Sequence, residues 1–278
     1  MPPKASAPKP LAKGARRHPE RSPPARTESW LYGRHAVAAA LANPQRIWRR
    51  LAVLPGHAAA AAVLADTAAA RRRGSGEAIR VMDRAAFDRL LPEGAVHQGW
   101  ALEVEPLEPA DLDDALRAAA VNRAGGGRRS VVVVLDQVSD PHNAGAVLRS
   151  AAAFGAAAVV LAGHAAPPAA GALGKAASGA LDRMPLVRAG NAAQVLDRLK
   201  AAGYWCVGLD EGAPAPLAAC DPGPRVALVL GSEGGGLRRL VRERCDYLAR
   251  LPTRPELPSL NVSNAAAIAL YELVRAEG

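Results

Sequence analysis

The second half of the sequence alternates short apolar runs with helical segments, and this alternation restricts the fold more than any other feature. Residues 131–135 are four valines and a leucine, a composition typical of a central strand buried on both faces. Similar runs follow at residues 158–161, 205–209 and 226–230, with helical patterns at residues 144–154, 192–202 and 237–244. Such alternation predicts an α/β domain with a parallel sheet, whose ligands bind at the carboxyl ends of the strands.

The first part of the chain, residues 29–105, predicts a smaller α/β unit. We expect strands at residues 47–54, 79–82 and 100–104, and helices at residues 35–42, 58–73 and 83–91. Residues 106–129 contain an acidic helix at 111–121 and then three glycines at 125–127. This segment is therefore interpreted as a linker with a hinge, followed by a second domain at residues 130–278.

The net charge of +9 is concentrated near the amino terminus. Residues 1–28 have seven Lys or Arg against two Glu, together with seven prolines. Because such a segment cannot bury enough apolar surface to offset its ordering entropy, we expect it to be disordered. It is either a solubility tail or a non-specific RNA-binding arm, since clustered basic residues release counterions from phosphates. An organelle transit peptide is disfavoured because the prolines would break its helix.

Cysteine spacing and hydropathy exclude several classes of protein. Cys206, Cys220 and Cys245 are widely spaced and odd in number, which argues against a disulfide framework or zinc knuckle and predicts reduced, structural thiols. No apolar run approaches the roughly 18–20 residues of a membrane span, and charges and prolines stand where a signal peptide would be apolar. We therefore expect a soluble, cytoplasmic protein that binds neither membrane nor metal.

A polar loop leads from the first strand of the second domain into a helix. In residues 136–150, Asp140 is suited to cap the helix and Pro141 to occupy its first turn. Asn143 and Arg149 have no packing task, and their six-residue spacing places them on different sides of a helix. A capped helix with one arginine is nonetheless often purely structural.

A glycine turn follows the last predicted strand, within the segment L-V-L-G-S-E-G-G-G-L at residues 228–237. Glycines permit positive φ and let a ligand approach the main chain. The spacing fits neither G-x-G-x-x-G nor a phosphate-binding P-loop, and Glu233 at the centre disfavours phosphate. The turn is either a cofactor loop or a tight connection to the next helix.

A third motif, residues 251–264, is a proline-rich loop before the last helix. Ser259, Asn261 and Ser263 all stand at the helix start, where one capping residue would suffice. By itself this motif predicts no more than a capped helix.

Together and in this order, the three motifs resemble the SpoU (TrmH) family of the SPOUT superfamily, whose members transfer methyl from S-adenosylmethionine to a ribose 2′-oxygen of rRNA or tRNA. The likeness begins near Ser130, and S-L-N-V-S at residues 259–263 is its most specific part. The family's substrate-binding domain, which is similar to RNA-binding ribosomal proteins, matches from W-L-Y-G-R-H-A-V at 30–37 to H-Q-G-W-A-L at 97–102. With this domain, the sequence is most similar to bacterial enzymes that methylate a guanosine of 23S rRNA.

The resemblance implies features that composition does not. One is a deep trefoil knot in the catalytic domain, since knots are too rare to expect otherwise. Another is S-adenosylmethionine held bent in that knot, with a site completed across a homodimer. The residues expected to bind it, largely through main chain, are Gly231, Gly236, Leu251 and Leu260. The matched polar residues are Asn143, Arg149, Glu233, Ser259 and Asn261. The sequence departs from the family at Gly235, where a charged residue is more common, and in the proline-rich stretch 253–258.

Roles for the polar residues follow from that likeness. We expect Arg149 to position the 2′-hydroxyl and the adjacent phosphate, because a bidentate guanidinium suits that geometry. Arginine is a demanding choice of general base, so the base stays unassigned. Asn143 and Ser259 are expected to hold Arg149 and the nucleotide, and Glu233 and Asn261 to order the loops. The alternatives are a tRNA methyltransferase, or a non-catalytic RNA-binding or ribosome-assembly protein on the same fold.

The last helix also predicts a homodimer. Its apolar stripe consists of Val262, Ala266, Ala269, Leu270 and Leu273. Because a domain attached through a glycine hinge would leave this stripe uncovered, we expect it to form the dimer interface.

Overall fold

A computed structural model describes residues 29–71, 79–124, 129–163, 166–169, 171–254, 256 and 259–275. The basic tail at residues 1–28 and the glycines at 125–127 lie outside the described residues. The described chain forms two sheets, one of four strands and one of seven.

The first sheet has the order β1-β4-β2-β3. Its strands and helices are β1 (Trp30–Tyr32), α1 (Arg34–Ala42), β2 (Trp48–Val53), α2 (Ala58–Arg71), β3 (Ile79–Val81), α3 (Arg84–Asp88) and β4 (Trp100–Val104). Strand β4 is antiparallel to β1 and β2, whereas β2 and β3 are parallel. All three predicted strands and all three predicted helices are present. Strand β1 was not predicted, because three residues are too few to show a period.

The second sheet has the order β7-β6-β5-β10-β8-β11-β9. Its elements are α4 (Leu112–Ala124), β5 (Ser130–Asp136), α5 (Pro141–Ala153), β6 (Ala158–Ala162), α6 (Gly171–Ala176), β7 (Leu186–Ala189), α7 (Ala192–Ala201), β8 (Trp205–Leu209), β9 (Ala215–Pro216), β10 (Arg225–Leu230), α8 (Arg239–Arg244), β11 (Tyr247–Arg250) and α9 (Val262–Arg275). Every pair of neighbouring strands is parallel. The predicted α/β fold with a parallel sheet is therefore confirmed.

Helices cover both faces of this sheet. Along β5, Val131, Val133 and Leu135 belong to the core beneath α5 and α9. Val132 and Val134 point to the opposite core, beneath α4 and α7. Because successive strand residues face opposite sides, only a continuously apolar strand satisfies both cores, which is why residues 131–135 show no polar alternation.

The apolar stripe of α9 is not exposed, contrary to our expectation. Its five residues are all buried in the core of the same chain: Val262, Ala266, Ala269, Leu270 and Leu273. Helix α9 packs on α5, so a single copy already covers the stripe. The apolar residues that α9 leaves exposed are Ile268 and Tyr271.

The described part of the segment that joins the two sheets packs against the larger sheet. Leu112 and Ala115 of α4 are buried in the second core, and the Ala110 N–H donates to the Leu186 carbonyl at 2.9 Å. Their burial attaches the connecting segment to the larger sheet.

A buried ion pair joins the two units. The Arg46 guanidinium donates to Asp182 through Nε (2.7 Å) and Nη2 (3.0 Å), and both side chains are buried. Asn43 donates to the same carboxylate at 3.1 Å. A paired charge of this kind is tolerated in the interior only when its geometry is well defined, so the small unit is docked on the large one.

Candidate active site

The three sequence motifs meet at one edge of the large sheet. They follow β5, β10 and β11, and parallel strands direct their carboxyl ends to the same side. Asp140 caps α5 by accepting from the His142 N–H (3.0 Å) and the Asn143 N–H (3.4 Å), as its position in the sequence predicted. This cap fixes the start of the helix that carries Asn143.

Asn143, Glu233 and Asn261 form a closed hydrogen-bonded triangle. Asn143 Nδ2 donates to Glu233 Oε1 at 2.7 Å. Asn261 Nδ2 donates to the same oxygen at 2.8 Å and to Asn143 Oδ1 at 3.0 Å. Each of the three motifs supplies one member, so the triangle joins the three loops into one site.

Asn261 also begins the last helix. Its Oδ1 accepts from the Ser263 N–H at 2.9 Å and from the Ser263 hydroxyl at 2.6 Å. The Asn264 N–H donates to it at 3.4 Å. The helix cap thus uses the oxygen of the Asn261 amide, and the triangle uses its nitrogen.

The glycine turn is closed tightly by its own main chain. The Gly236 N–H donates to the Ser232 carbonyl at 2.9 Å, and Gly234 and Gly236 have φ of +77° and +59°. A Cβ added at Gly231 would lie 2.0 Å from the carbonyl carbon and oxygen of Gly236. Only glycine fits at position 231, because the contacted atoms are backbone.

A pocket of about 520 Å³ lies against this turn, within the usual size of a small-ligand site. The predicted cofactor residues Gly231, Gly236, Leu251 and Leu260 all line it, as do Glu233, Ser259 and Asn261. Leucine and valine side chains make part of its wall, and three carboxylates stand around it, those of Asp210, Glu211 and Glu233. Carboxylates around a pocket suit a ligand of net positive charge, and S-adenosylmethionine carries a sulfonium and an ammonium group against one carboxylate.

Arg149 and Ser259 stand apart from the triangle. Arg149 lies on the exposed side of α5, as its spacing from Asn143 predicted. Within the described part of the chain, neither side chain hydrogen-bonds to Asn143, Glu233 or Asn261. The expectation that Asn143 holds Arg149 is therefore not met in this structure, because six residues of helix turn the two side chains to different sides.

Three charged residues at the pocket were not singled out from the sequence. Asp210 and Glu211 follow β8, and Arg242 of α8 forms an ion pair with Asp210. The signal was available, because two acids directly after a predicted strand lie at the ligand-binding edge of the sheet. Across the described ranges, no group of three or more His, Cys, Asp or Glu side chains is arranged to hold a metal ion.

Comparison with known proteins identifies the family. The sequence model of the SpoU rRNA methylase family matches residues 130–271, and a model described as RNA 2′-O ribose methyltransferase substrate binding matches residues 30–110. The chain belongs to the SpoU rRNA methylase family. It is an S-adenosylmethionine-dependent RNA methyltransferase.

Two relatives extend over most of this SpoU methylase. A 23S rRNA (guanosine-2′-O-)-methyltransferase RlmB from Xylella fastidiosa strain Temecula1 is 39% identical over 249 residues, covering 88% of this chain and 96% of the relative. One of the same name from Coxiella burnetii is 37% identical over 246 residues, covering 88% and 94%.

A solved SpoU structure matches most of this chain. The SpoU methyltransferase AviRb from Streptomyces viridochromogenes, in complex with the cofactor AdoMet, is 26% identical, with a TM-score of 0.69 and 89% of each chain covered. The match therefore includes both sheets of this chain.

Proposed function

We propose that this chain methylates the ribose 2′-hydroxyl of a guanosine in 23S rRNA. The observation that supports it most is the Asn143–Glu233–Asn261 triangle at the rim of the 520 Å³ pocket. A decayed, non-catalytic fold has no reason to retain all three side chains in one hydrogen-bonded group. The relatives named RlmB support 23S rRNA rather than tRNA, because they match the small unit as well as the catalytic one.

The cofactor site that we propose is the pocket against the glycine turn. Main chain around Gly231, Gly236, Leu251 and Leu260 would hold S-adenosylmethionine. When bound, it supplies an electrophilic methyl group, so the chain has mainly to align the acceptor and remove a proton. Glu233 stands at the pocket with Oε1 occupied by two amide donors, which suits a loop-ordering role rather than proton removal through that oxygen.

Arg149 is the residue that we propose positions the substrate. It is exposed, and no described side chain forms an ion pair with it, so its guanidinium is available to a phosphate and the ribose hydroxyl. Ser259, exposed at the pocket, is proposed to contact the nucleotide. The general base remains unassigned.

We infer further that residues 29–105 bind RNA and that the catalytic domain contains the family's trefoil knot. Two features support the knot. Strand β10 lies between β5 and β8, two strands that are far apart in sequence. Helix α9, near the end of the described chain, packs on α5. An rRNA substrate also favours a cytoplasmic location. Among the described residues, no helix is both long and apolar enough to cross a membrane.

We infer that the active form is a homodimer with a shared site. Ile268 and Tyr271 of α9 are 47% and 54% exposed, and the Tyr271 ring lies 6.2 Å from that of Phe154. Exposed apolar side chains grouped in this way favour an interface. If Arg149 serves the partner's cofactor, mixing the impaired variants Arg149→Ala and Asn261→Ala restores one intact site per heterodimer, and transfer rises above that of either variant alone. Confirmed heterodimers without such a rise would assign both residues to one chain's site.

The decisive experiment measures transfer of labelled methyl to 23S rRNA and to tRNA, with the modified nucleotide mapped by 2′-O-methyl detection. We expect one guanosine of 23S rRNA to be modified. Arg149→Ala should lower transfer by about 10- to 100-fold, the loss expected for charge-assisted hydrogen bonds, while leaving cofactor affinity unchanged. Arg198→Ala, at an exposed arginine on α7, is the matched control and should retain full transfer.

Two other results would overturn the proposal. Modification of tRNA alone would assign the enzyme to tRNA. Tight rRNA binding without transfer from labelled cofactor would indicate a ribosome-assembly protein.

A further inference from the structure

Asp136, the last residue of β5, is fully buried, yet it carries a carboxylate. It accepts four contacts from one residue, Arg238. Nε donates to Oδ1 at 3.0 Å and to Oδ2 at 3.1 Å, Nη2 donates to Oδ1 at 2.5 Å, and the Arg238 main-chain N–H lies 3.4 Å from Oδ2. Neither residue has a role in the site as described above.

The contacts between Asp136 and Arg238 lie at the end of the glycine turn. The glycine turn begins after Leu230, which is paired in register with Leu135. It ends at Arg238, which is bound to Asp136. Two adjacent residues of β5 therefore fix the two ends of the turn, and Glu233 lies between them.

Stability alone does not explain the pair. Taking a carboxylate out of water is costly, and replacing a buried ion pair with apolar side chains is often neutral or stabilising. The Arg238 side chain is 47% exposed, whereas that of Asp136 is completely buried, so the guanidinium reaches inward from the surface to a fixed carboxylate. Hydrogen bonding to Asp136 raises the pKa of Arg238, while partial burial acts in the opposite direction.

We propose that Asp136 is a positioning residue for the glycine turn: by binding Arg238 it fixes the shape of the cofactor wall and keeps Glu233 within reach of Asn143 and Asn261. The inference rests on the proposed use of this turn as a cofactor site. Asp136 itself does not touch the pocket, so it acts through the turn.

The main test is Asp136→Asn, which removes the charge and keeps the size. Titration calorimetry with S-adenosylmethionine should show a Kd about tenfold higher, the effect of losing one charge-assisted contact. In steady-state assays KM for the cofactor should rise while KM for RNA stays unchanged. Without cofactor, amide exchange at residues 231–237 should be faster than in the wild type.

Asp182→Asn is the matched control. It also neutralises a buried carboxylate that holds an arginine through two hydrogen bonds, but at the contact between the two units. We expect Tm to fall in both variants, since each weakens a buried ion pair. The Kd of Asp182→Asn should stay within about twofold of wild type, well below the tenfold change expected for Asp136→Asn.

Each outcome decides the proposal. Unchanged cofactor affinity and unchanged amide exchange in Asp136→Asn, or an equal loss of affinity in Asp182→Asn, would overturn it. If Asp136→Asn does not fold, Arg238→Lys replaces it, since a lysine keeps the charge but not the forked contact; unchanged affinity in that variant overturns the proposal. If the wild type itself does not bind the cofactor, the proposed cofactor site fails. If the wild type binds it and the variants bind it with the same affinity, only the positioning role is refuted.

Discussion

Asn261 shows how one amide can serve both the fold and the site. Its oxygen accepts from the first turn of α9, at Ser263 and Asn264. Those donors require the oxygen to face the helix, so the Nδ2 group must face Glu233 and Asn143. The helix cap therefore orients the amide nitrogen toward the triangle.

Asn261→Ala should reduce methyl transfer at least about tenfold and also lower stability by about 1 kcal/mol, the usual cost of a lost asparagine cap. Asn191→Ala is the control, because Asn191 caps α7 by accepting from the Ala193 N–H at 2.9 Å and lies outside the pocket. Thermal unfolding and transfer assays on both variants separate the two tasks. Equal losses of activity would mean that Asn261 only caps its helix.

The thiols of Cys206 and Cys245 predict that the free energy of unfolding depends on pH. Burial raises the pKa of Cys206 and of Cys245 from 9.0 to about 12, so folding favours the protonated thiols. Their stabilising contribution is complete below pH 9 and is lost as the pH rises toward 12.

At pH 8, iodoacetamide should therefore alkylate Cys206 and Cys245 slowly in the native protein and quickly after denaturation. Cys220, which is only partly buried and whose pKa is raised less by burial than those of the other two thiols, should react first, as peptide mapping would show. Rapid native labelling of Cys206 would contradict the reduced, structural role predicted for it.

At the level of elements, the positions of the glycine turn differ in how much room they leave for a side chain. A Cβ at Gly231 would collide with backbone, whereas at Gly235 it would meet only the Ser232 hydroxyl at 2.9 Å, and that hydroxyl can rotate. This difference explains why the departure from the family at Gly235 leaves the turn intact.

Gly231→Ala should abolish cofactor binding and lower Tm, since the turn must open to make room for the alanine side chain. Gly235→Ala should change both by little, because its φ is not positive and its one close neighbour is flexible. Calorimetric titration and thermal melts of the two variants test this contrast. Cofactor binding by Gly231→Ala at wild-type affinity would rule out the closed turn as the cofactor wall.

Sequence patterns predicted the central elements well and the peripheral ones poorly. Strand β10 was visible as an uninterrupted apolar run because both of its faces are covered. Strands β7 and β11 were missed because each contains an arginine and is only partly buried. Residues of the site were found by family resemblance, but the triangle was not, because no local pattern reveals a contact between distant segments.

At the scale of the molecule, Arg46 and Asp182 form a buried ion pair at the contact between the two units. Asp182→Ala would remove the carboxylate that neutralises the buried Arg46 guanidinium and should cost about 3–5 kcal/mol. The smaller unit should then separate, which small-angle scattering would detect as an increased radius of gyration. Arg49→Ala, which removes an exposed ion pair with Glu105, should leave both stability and shape unchanged. An unaltered scattering profile for a folded Asp182→Ala would show that other contacts hold the units together.

The proposed dimer gives a second prediction at this scale. Ile268→Asp combined with Tyr271→Asp should yield a folded monomer, because charges would replace the apolar side chains that α9 exposes. Val121→Asp, on the exposed side of α4, is the control and should leave assembly unchanged. Sedimentation velocity distinguishes the two, and a wild-type protein that is monomeric and active would refute the shared site.

The triangle also has a kinetic consequence. Asn143 lies 90 residues from Glu233 and 118 residues from Asn261 along the chain, so its hydrogen bonds form only after long loops have closed. Helices such as α5 and α9 form from local contacts and can appear earlier in refolding. Recovery of methyl transfer in a refolding experiment should thus lag behind the return of helical signal, and activity reports completion of the whole catalytic domain rather than of any single element.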